Sequence, residues 1–183
     1  MRATVATLSL ALFAGLVGFA PTADAKETFS LRNTSNKEIS TDDYAGKVVL
    51  VNFWATWCAP CQIEMPHLQK MYTDLNEQGF EVLSISVDDS RSASRVKPLI
   101  KSKGYTFEVL LDKETEVVSR YNPQKVLPYT FILDGNGEIV YRHTGYNPGD
   151  EDHLREEVLK ALAANGADPD SAPEAAPDPN GEQ

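Results

Sequence analysis

The run Lys47–Trp54, KVVLVNFW, constrains this chain more than any other segment, because it leads almost directly into Trp57-Cys58-Ala59-Pro60-Cys61. Apart from Lys47 and Asn52 the run is apolar without alternation, so a strand made from it must be covered on both faces. That pattern marks a strand inside a parallel sheet, which in turn requires helical crossovers. The flanking sequence has the right rhythm for them. Residues 58–78 read as a helix with Cys61, Leu68, Tyr72 and Leu75 on one face, stopped by Gly79. Phe80–Val87 reads as a second buried strand, and 92–103 as a helix that contains Pro98 and ends at Gly104. Phe107–Leu111 then reads as a strand and Lys113–Tyr121 as a helix. Thr130–Leu133 and Glu138–Arg142 flank the turn Asp134-Gly135-Asn136-Gly137, a hairpin signal, and 151–164 reads as a closing amphipathic helix. Upstream, Phe29–Leu31 and Ile39 read as short strands around the polar turn 33–36. Strand–helix alternation closed by a hairpin and a helix predicts an α/β fold with a mixed sheet. No internal repeat is visible.

The two ends read differently. Residues 1–25 carry Arg2, an apolar stretch to Ala20 and the small-x-small site Ala23-Asp24-Ala25, the pattern of a secretory signal cleaved before Lys26. The competing reading is an uncleaved anchor, since Ala3–Ala20 is 18 residues long, at the short edge of a membrane span. No cysteine lies there to be acylated. Residues 165–183 hold four prolines and five acids with no base, and read as an acidic, disordered tail that solubilises rather than docks. One domain, 26–164, remains between them. Overall the chain carries a net charge of −10, which argues against nucleic acid as a partner.

Only two cysteines are present, too few for a disulfide-stapled fold or a four-cysteine zinc module. Their placement points to reactivity. Cysteines at i and i+3 on a first helical turn are near enough to join, yet the loop between them is only Ala59 and Pro60, so a bond there constrains the unfolded chain very little. Cys58 sits at the helix start, where unpaired N–H groups and the dipole favour an anion. Pro60 suits the first turn. Cys61, a turn further in, should be buried and resolve a mixed disulfide. His67 falls about 240° round the helix from Cys61, and His67, His143 and His153 read as surface residues without partners. No metal site and no cofactor are expected.

The segment Val51-Asn52-Phe53-Trp54-Ala55-Thr56-Trp57-Cys58-Ala59-Pro60-Cys61, with Glu64 and Pro66, closely resembles the thioredoxin-fold thiol-disulfide oxidoreductases of the bacterial cell envelope, the TlpA/ResA-like group. Val126-Leu127-Pro128-Tyr129-Thr130-Phe131, with Asp134 and Gly137, resembles the second signature of that group. The likeness spans roughly 29–162. It implies a thioredoxin fold with an N-terminal β-hairpin extension and a strand–helix insertion, for which 107–121 is the candidate. It also implies a cis Pro128 facing the cysteines, with the Leu127 backbone offered to an extended substrate that also meets Trp57, Ala59 and Pro60. The implied partners are disulfide-bearing envelope proteins, among them c-type apocytochromes, and a membrane thiol donor of the DsbD or CcdA type. The chain is expected to be periplasmic and monomeric.

Two positions depart from the thioredoxin pattern. Asn52 stands where thioredoxins carry a buried Asp, and an amide cannot exchange a proton. Glu64, three residues after Cys61 and four before Leu68, faces inward on helical spacing. Burial should raise its pKa and let it carry the Cys61 proton; the competing reading is a solvated first-turn Glu that favours the helix dipole. Tyr129 follows the proline where a small polar residue is usual, and either narrows the substrate groove or packs. Ala59-Pro60 adds no charge or imidazole to stabilise a Cys58 thiolate further, which argues for a reductant over an oxidant. Two other functions compete. A thiol peroxidase of the same fold would need Pro at 51 and Thr at 55, where the chain has Val51 and Ala55. A copper metallochaperone could use the same two thiols, without Met or His clusters to support it.

Overall fold

The computed structural model describes residues 26–166. The expected leader and all but the first two residues of the expected tail lie outside them. Among the described residues seven strands form one sheet: β1 (Ser30–Asn33), β2 (Glu38–Ser40), β3 (Val48–Trp54), β4 (Phe80–Ser86), β5 (Glu108–Leu111), β6 (Tyr129–Leu133) and β7 (Ile139–Thr144). Their order is β2-β1-β5-β4-β3-β6-β7. β3, β4 and β5 run parallel, β6 lies antiparallel to β3, and the β1–β2 hairpin joins antiparallel at the β5 edge. The sheet is therefore mixed, with the hairpin extension where the family resemblance implies one, and β5 followed by a helix within 107–121.

Every residue of β3 is buried. Period-two alternation divides it between two cores. Val48, Leu50 and Trp54 pack with Leu68, Met71 and Leu75 of α1 (Ala59–Leu75), Val96 of α2 (Val96–Lys103), and Leu154 and Val158 of α4 (Asp150–Ala164). Val49, Val51 and Phe53 pack on the other face with Phe29, Ile39, Phe131, and Val117 and Val118 of α3 (Glu116–Tyr121). Asn52 shares the parity of Leu50 and Trp54, so its amide points toward α1.

Helix boundaries differ from expectation in two places. The segment expected as one helix over 92–103 begins as a 3-10 turn, Ala93–Arg95, before α2. Pro98 is then the third residue of α2, where an N–H would have no intrahelical acceptor, so it costs no bond. α3 starts only at Glu116, because Thr115 is left-handed (φ 56°) and the buried Asp112 carboxylate accepts from the N–H groups of Glu116 (3.0 Å) and Val118 (2.8 Å). That carboxylate caps the first turn and sets where the helix begins. Pro66 lies inside α1 and removes one backbone donor, yet packing of Met65, Leu68 and Met71 carries the helix through.

The chain enters and leaves this domain at the pole where β3 begins. Glu27 N–H donates to the Gly137 carbonyl (2.9 Å), and Asn165 Nδ2 donates to the Gly46 carbonyl (2.8 Å). The cysteines lie past the far end of β3, about 23 Å away at roughly 3.3 Å per residue.

Leu68 is fully buried between α1 and the sheet. Leu68→Ala is expected to lower stability by about 2–5 kcal/mol, read as a reduced denaturant midpoint with an unchanged m-value.

Candidate active site

The turn between β3 and α1 is fastened from the neighbouring strand. Val87 N–H donates to the Trp54 carbonyl (2.8 Å), and Cys58 N–H donates to the Ala55 carbonyl (3.1 Å). Asp88, fully buried just past β4, accepts from Thr56 N–H (2.7 Å), Thr56 Oγ1 (2.6 Å) and Ser86 Oγ (2.8 Å). Three donors satisfy a carboxylate that has left water, and the bonds fix the residues just before Cys58. Sequence reasoning missed Asp88. Its only local signal is an acid directly following a buried strand.

Cys58 is the N-cap of α1 and Pro60 lies in the first turn. Cys58 and Cys61 are joined as a disulfide with Cα atoms 5.3 Å apart, and Cys61 N–H points at Cys58 Sγ (3.3 Å). Cys58 is 5% exposed and Cys61 fully buried. Cys58, the residue that keeps some exposure, is thus the one whose sulfur receives a helix-terminal N–H, the environment that favours negative charge on sulfur. Trp57, just before Cys58, is exposed, as is Ile63 further along α1.

β6 brings in the second signature. Its register pairs Tyr129 with Phe53 and Thr130 with Asn52, which sets Pro128 level with the end of β3. The Leu127-Pro128 bond is cis, and the Pro128 carbonyl accepts from Gly145 N–H (2.8 Å). Val126 is exposed and Leu127 half-buried. Tyr129 packs: it is buried, with its ring centroid 6.1 Å from Phe53 and 6.3 Å from Phe131.

Glu64 projects from α1 toward the sheet and is 2% exposed, so the solvated first-turn reading does not hold. Asn52 Nδ2 donates to its Oε2 (2.8 Å) and also to Thr130 Oγ1 (3.0 Å). Desolvation pushes the Glu64 carboxyl up to about 8, opposed by the hydrogen bonds from Asn52 and Thr130 and reinforced by the charge of Asp150. Among the described residues Asn52 Oδ1 has no partner. The amide therefore suits either state of Glu64: its NH2 group serves a carboxylate, and its carbonyl, after a flip, serves a carboxylic acid.

Two histidines are less isolated than expected. His143 is half-buried with Nε2 3.2 Å from Asp150, and His67 Nδ1 lies 3.8 Å from Glu151 while its ring stacks on Tyr146. Only His153 stands well exposed, 3.7 Å from Glu156. The N-terminal turn of α4 supplies two of these acids, which is why spacing around each histidine did not reveal them. Among the described residues no three His, Cys, Asp or Glu side chains gather as a metal site, and no helix is long and apolar enough to cross a membrane.

A central strand delivering a Cys-x-x-Cys pair to a helix N-terminus, with a cis-proline entering the antiparallel strand beside it, defines a thioredoxin-fold dithiol protein. Residues 22–142 match the AhpC/TSA family, and the chain belongs to it. Within that class it is similar to the thiol-disulfide oxidoreductase ResA of Bacillus subtilis, 37% identical over 139 residues, covering 76% of this chain and 75% of ResA. Among solved structures it is similar to a thioredoxin-like protein from Porphyromonas gingivalis, 37% identical with a TM-score of 0.63 over 73% of this chain and 89% of the other. A protein from Chlorobium tepidum assigned as the thiol:disulfide interchange protein DsbE aligns at 27% identity and a TM-score of 0.69, over 76% and 96% of the two chains. The chain is a thiol-disulfide oxidoreductase of the ResA-like kind.

Because Glu64 holds its proton more tightly folded than unfolded, its contribution favours the fold below about pH 4.5 and is lost as pH rises toward 8. Oxidised protein should therefore lose stability between about pH 5 and 8 by an amount on the order of a few kcal/mol, and Glu64→Gln should flatten that loss. Denaturant midpoints measured across this range for both proteins provide the check.

Proposed function

We propose that this protein reduces disulfides in proteins outside the cytoplasm, with Cys58 as the attacking thiolate and Cys61 as the resolving thiol. The observation that carries the assignment is the asymmetry of the pair: Cys58 caps the helix and keeps some exposure, while Cys61 keeps none. The Cys58 thiolate attacks one sulfur of a substrate disulfide, that bond breaks, and one substrate thiolate leaves. Cys61, deprotonated, then attacks Cys58 Sγ and expels the second substrate thiolate, forming the Cys58–Cys61 disulfide. Two electrons pass to the substrate and both of its sulfurs end as thiols.

Glu64 is the proton carrier for Cys61. A carboxyl raised to about 8 lies within a unit of an ordinary thiol at about 8.5, so the proton moves between them with little driving force either way. Trp57, Ala59, Pro60 and the Leu127-Pro128 backbone form the docking edge, where an extended substrate segment pairs with the Leu127 backbone before β6. The reducing direction is supported by Ala59-Pro60, which brings no charge to stabilise the reduced form. In an oxidising compartment a spent disulfide needs a membrane thiol donor of the DsbD or CcdA type. The leader pattern at 1–25 supports export to the periplasm, the acidic composition of 165–183 a solubilising tail, and the family resemblance c-type apocytochromes among the substrates. The protein acts as a monomer in this scheme. Positions 51 and 55, which a peroxidase would need for Pro and Thr, hold Val51 and Ala55, both fully buried in packing.

Cys61→Ser should accumulate Cys58-linked mixed disulfides, while Cys58→Ser should trap almost nothing. Non-reducing electrophoresis with mass spectrometry of the adducts measures this and names the substrates. Equal trapping by both variants, or by neither, would overturn the assignment of the nucleophile. Glu64→Gln should slow exchange by about tenfold or more and remove the part of the rate–pH profile centred near 8.

A further inference from the structure

The disulfide has different neighbours on its two sides. β3 lies between β6, which the cis-proline loop precedes, and β4, whose end leads into residues 87–95. On the β4 side an open groove of about 480 Å³ is lined by Trp57, Val87, Asp89, Arg91, Ser92 and Arg95. Trp57 adjoins Cys58 and is 65% exposed, an apolar shelf at the edge of the reactive bond. The charges along the groove are unequal. Asp89 accepts from Arg91 Nε (3.0 Å) and Nη2 (2.8 Å) and from Ser92 Oγ (3.0 Å), and these bonds hold its carboxyl down to about 2. Asp89 and Arg91 thus neutralise one another. Arg95 is exposed and forms no ion pair with any carboxylate among the described residues. Among the described residues Arg95 is thus a cation without an ion pair, in a groove lined by the Trp57 that adjoins Cys58, on a chain of net charge −10.

We propose that this groove selects substrates in which an Asp or Glu lies close to the disulfide-bonded cysteine, its carboxylate over Arg95 and a neighbouring apolar side chain on Trp57. A segment held by the Leu127-Pro128 backbone crosses Cys58 and continues into this groove, so the selection acts on residues flanking the substrate cysteine. Guanidinium suits the task because its planar donors take a carboxylate in two hydrogen bonds. An exposed pair of this kind is worth up to about 1 kcal/mol, so the preference is a matter of several-fold and not absolute.

The inference rests on the proposed redox activity, and the test separates the two. Reduced protein is reacted with three disulfide-bridged peptides identical except for Glu, Gln or Lys beside one cysteine, at low ionic strength. The expected ratio of rates, Glu over Lys, is about fivefold, with Gln between them, falling toward one in 1 M salt as charges are screened. Arg95→Glu should invert the ratio. Because the ratio is taken within each protein, a general loss of activity does not affect it. Lys37→Glu makes the same change of net charge in the distant β1–β2 turn and should leave the ratio as in the unaltered protein. Equal rates with all three peptides, a ratio unmoved by Arg95→Glu, or one moved equally by Lys37→Glu would overturn the inference while the redox activity stood. No exchange with any peptide would overturn both.

Discussion

Burying all seven residues of β3 in the middle of a mixed sheet leaves very little freedom to the segment that succeeds it. The strand must alternate between two cores, so Val49, Val51 and Phe53 commit one parity to the α3 face, and Asn52 is obliged to face α1. The strand then ends in water-poor surroundings, where the chain must turn and begin a helix without orphaning its polar groups. The turn meets that requirement with Asp88 and with the helix cap at Cys58. The reactive pair sits where it does because the strand beneath it can be placed in only one way.

Three carboxylates near the pair show how environment sets role. Asp88 is buried but surrounded by donors, and serves as a fixed acceptor that holds the turn. Asp89, half-buried one residue later, is consumed by Arg91. Glu64 is buried with only Asn52 and Thr130 as hydrogen-bond partners, and desolvation outweighs them, so its proton is retained toward neutral pH. A cation beside Glu64 would hold it ionised, and full exposure would do the same; among the described residues the site has neither. Placing an amide at position 52 instead of a second acid avoids two carboxyl groups competing for one proton.

The parts of this arrangement that were legible in the sequence are those with local signals. The apolar run 47–54, the cysteine spacing, and the glycines at 79 and 104 each state their conformation within a few residues. The inward face of Glu64 followed from helical periodicity alone. What stayed hidden depends on partners far along the chain. Asp88 binds a residue 32 positions away, and nothing beside it announces that. The late start of α3 comes from the buried Asp112, and the pairing of His143 with Asp150 from the loop that folds the start of α4 back onto β7. Propensity reads Lys113 and Glu114 as helical; a capping carboxylate one turn upstream decides otherwise. The cis form of Pro128 was implied by family likeness and by no feature of composition or spacing, since most X-Pro bonds are trans.

Both crossings into the rest of the polypeptide, at Glu27 beside Gly137 and at Asn165 beside Gly46, lie at the opposite pole from the disulfide. The domain is thus polarised like a plug, with its attachments at the back and its contact pins in front. Anything joined at either crossing, whether a tether to a surface, a second domain or an added label, is attached away from the disulfide. The orientation also means that the reach of the reactive end is set by the length of the attached segment plus the height of the sheet, so lengthening a tether would widen the shell of partners it can meet without altering the chemistry.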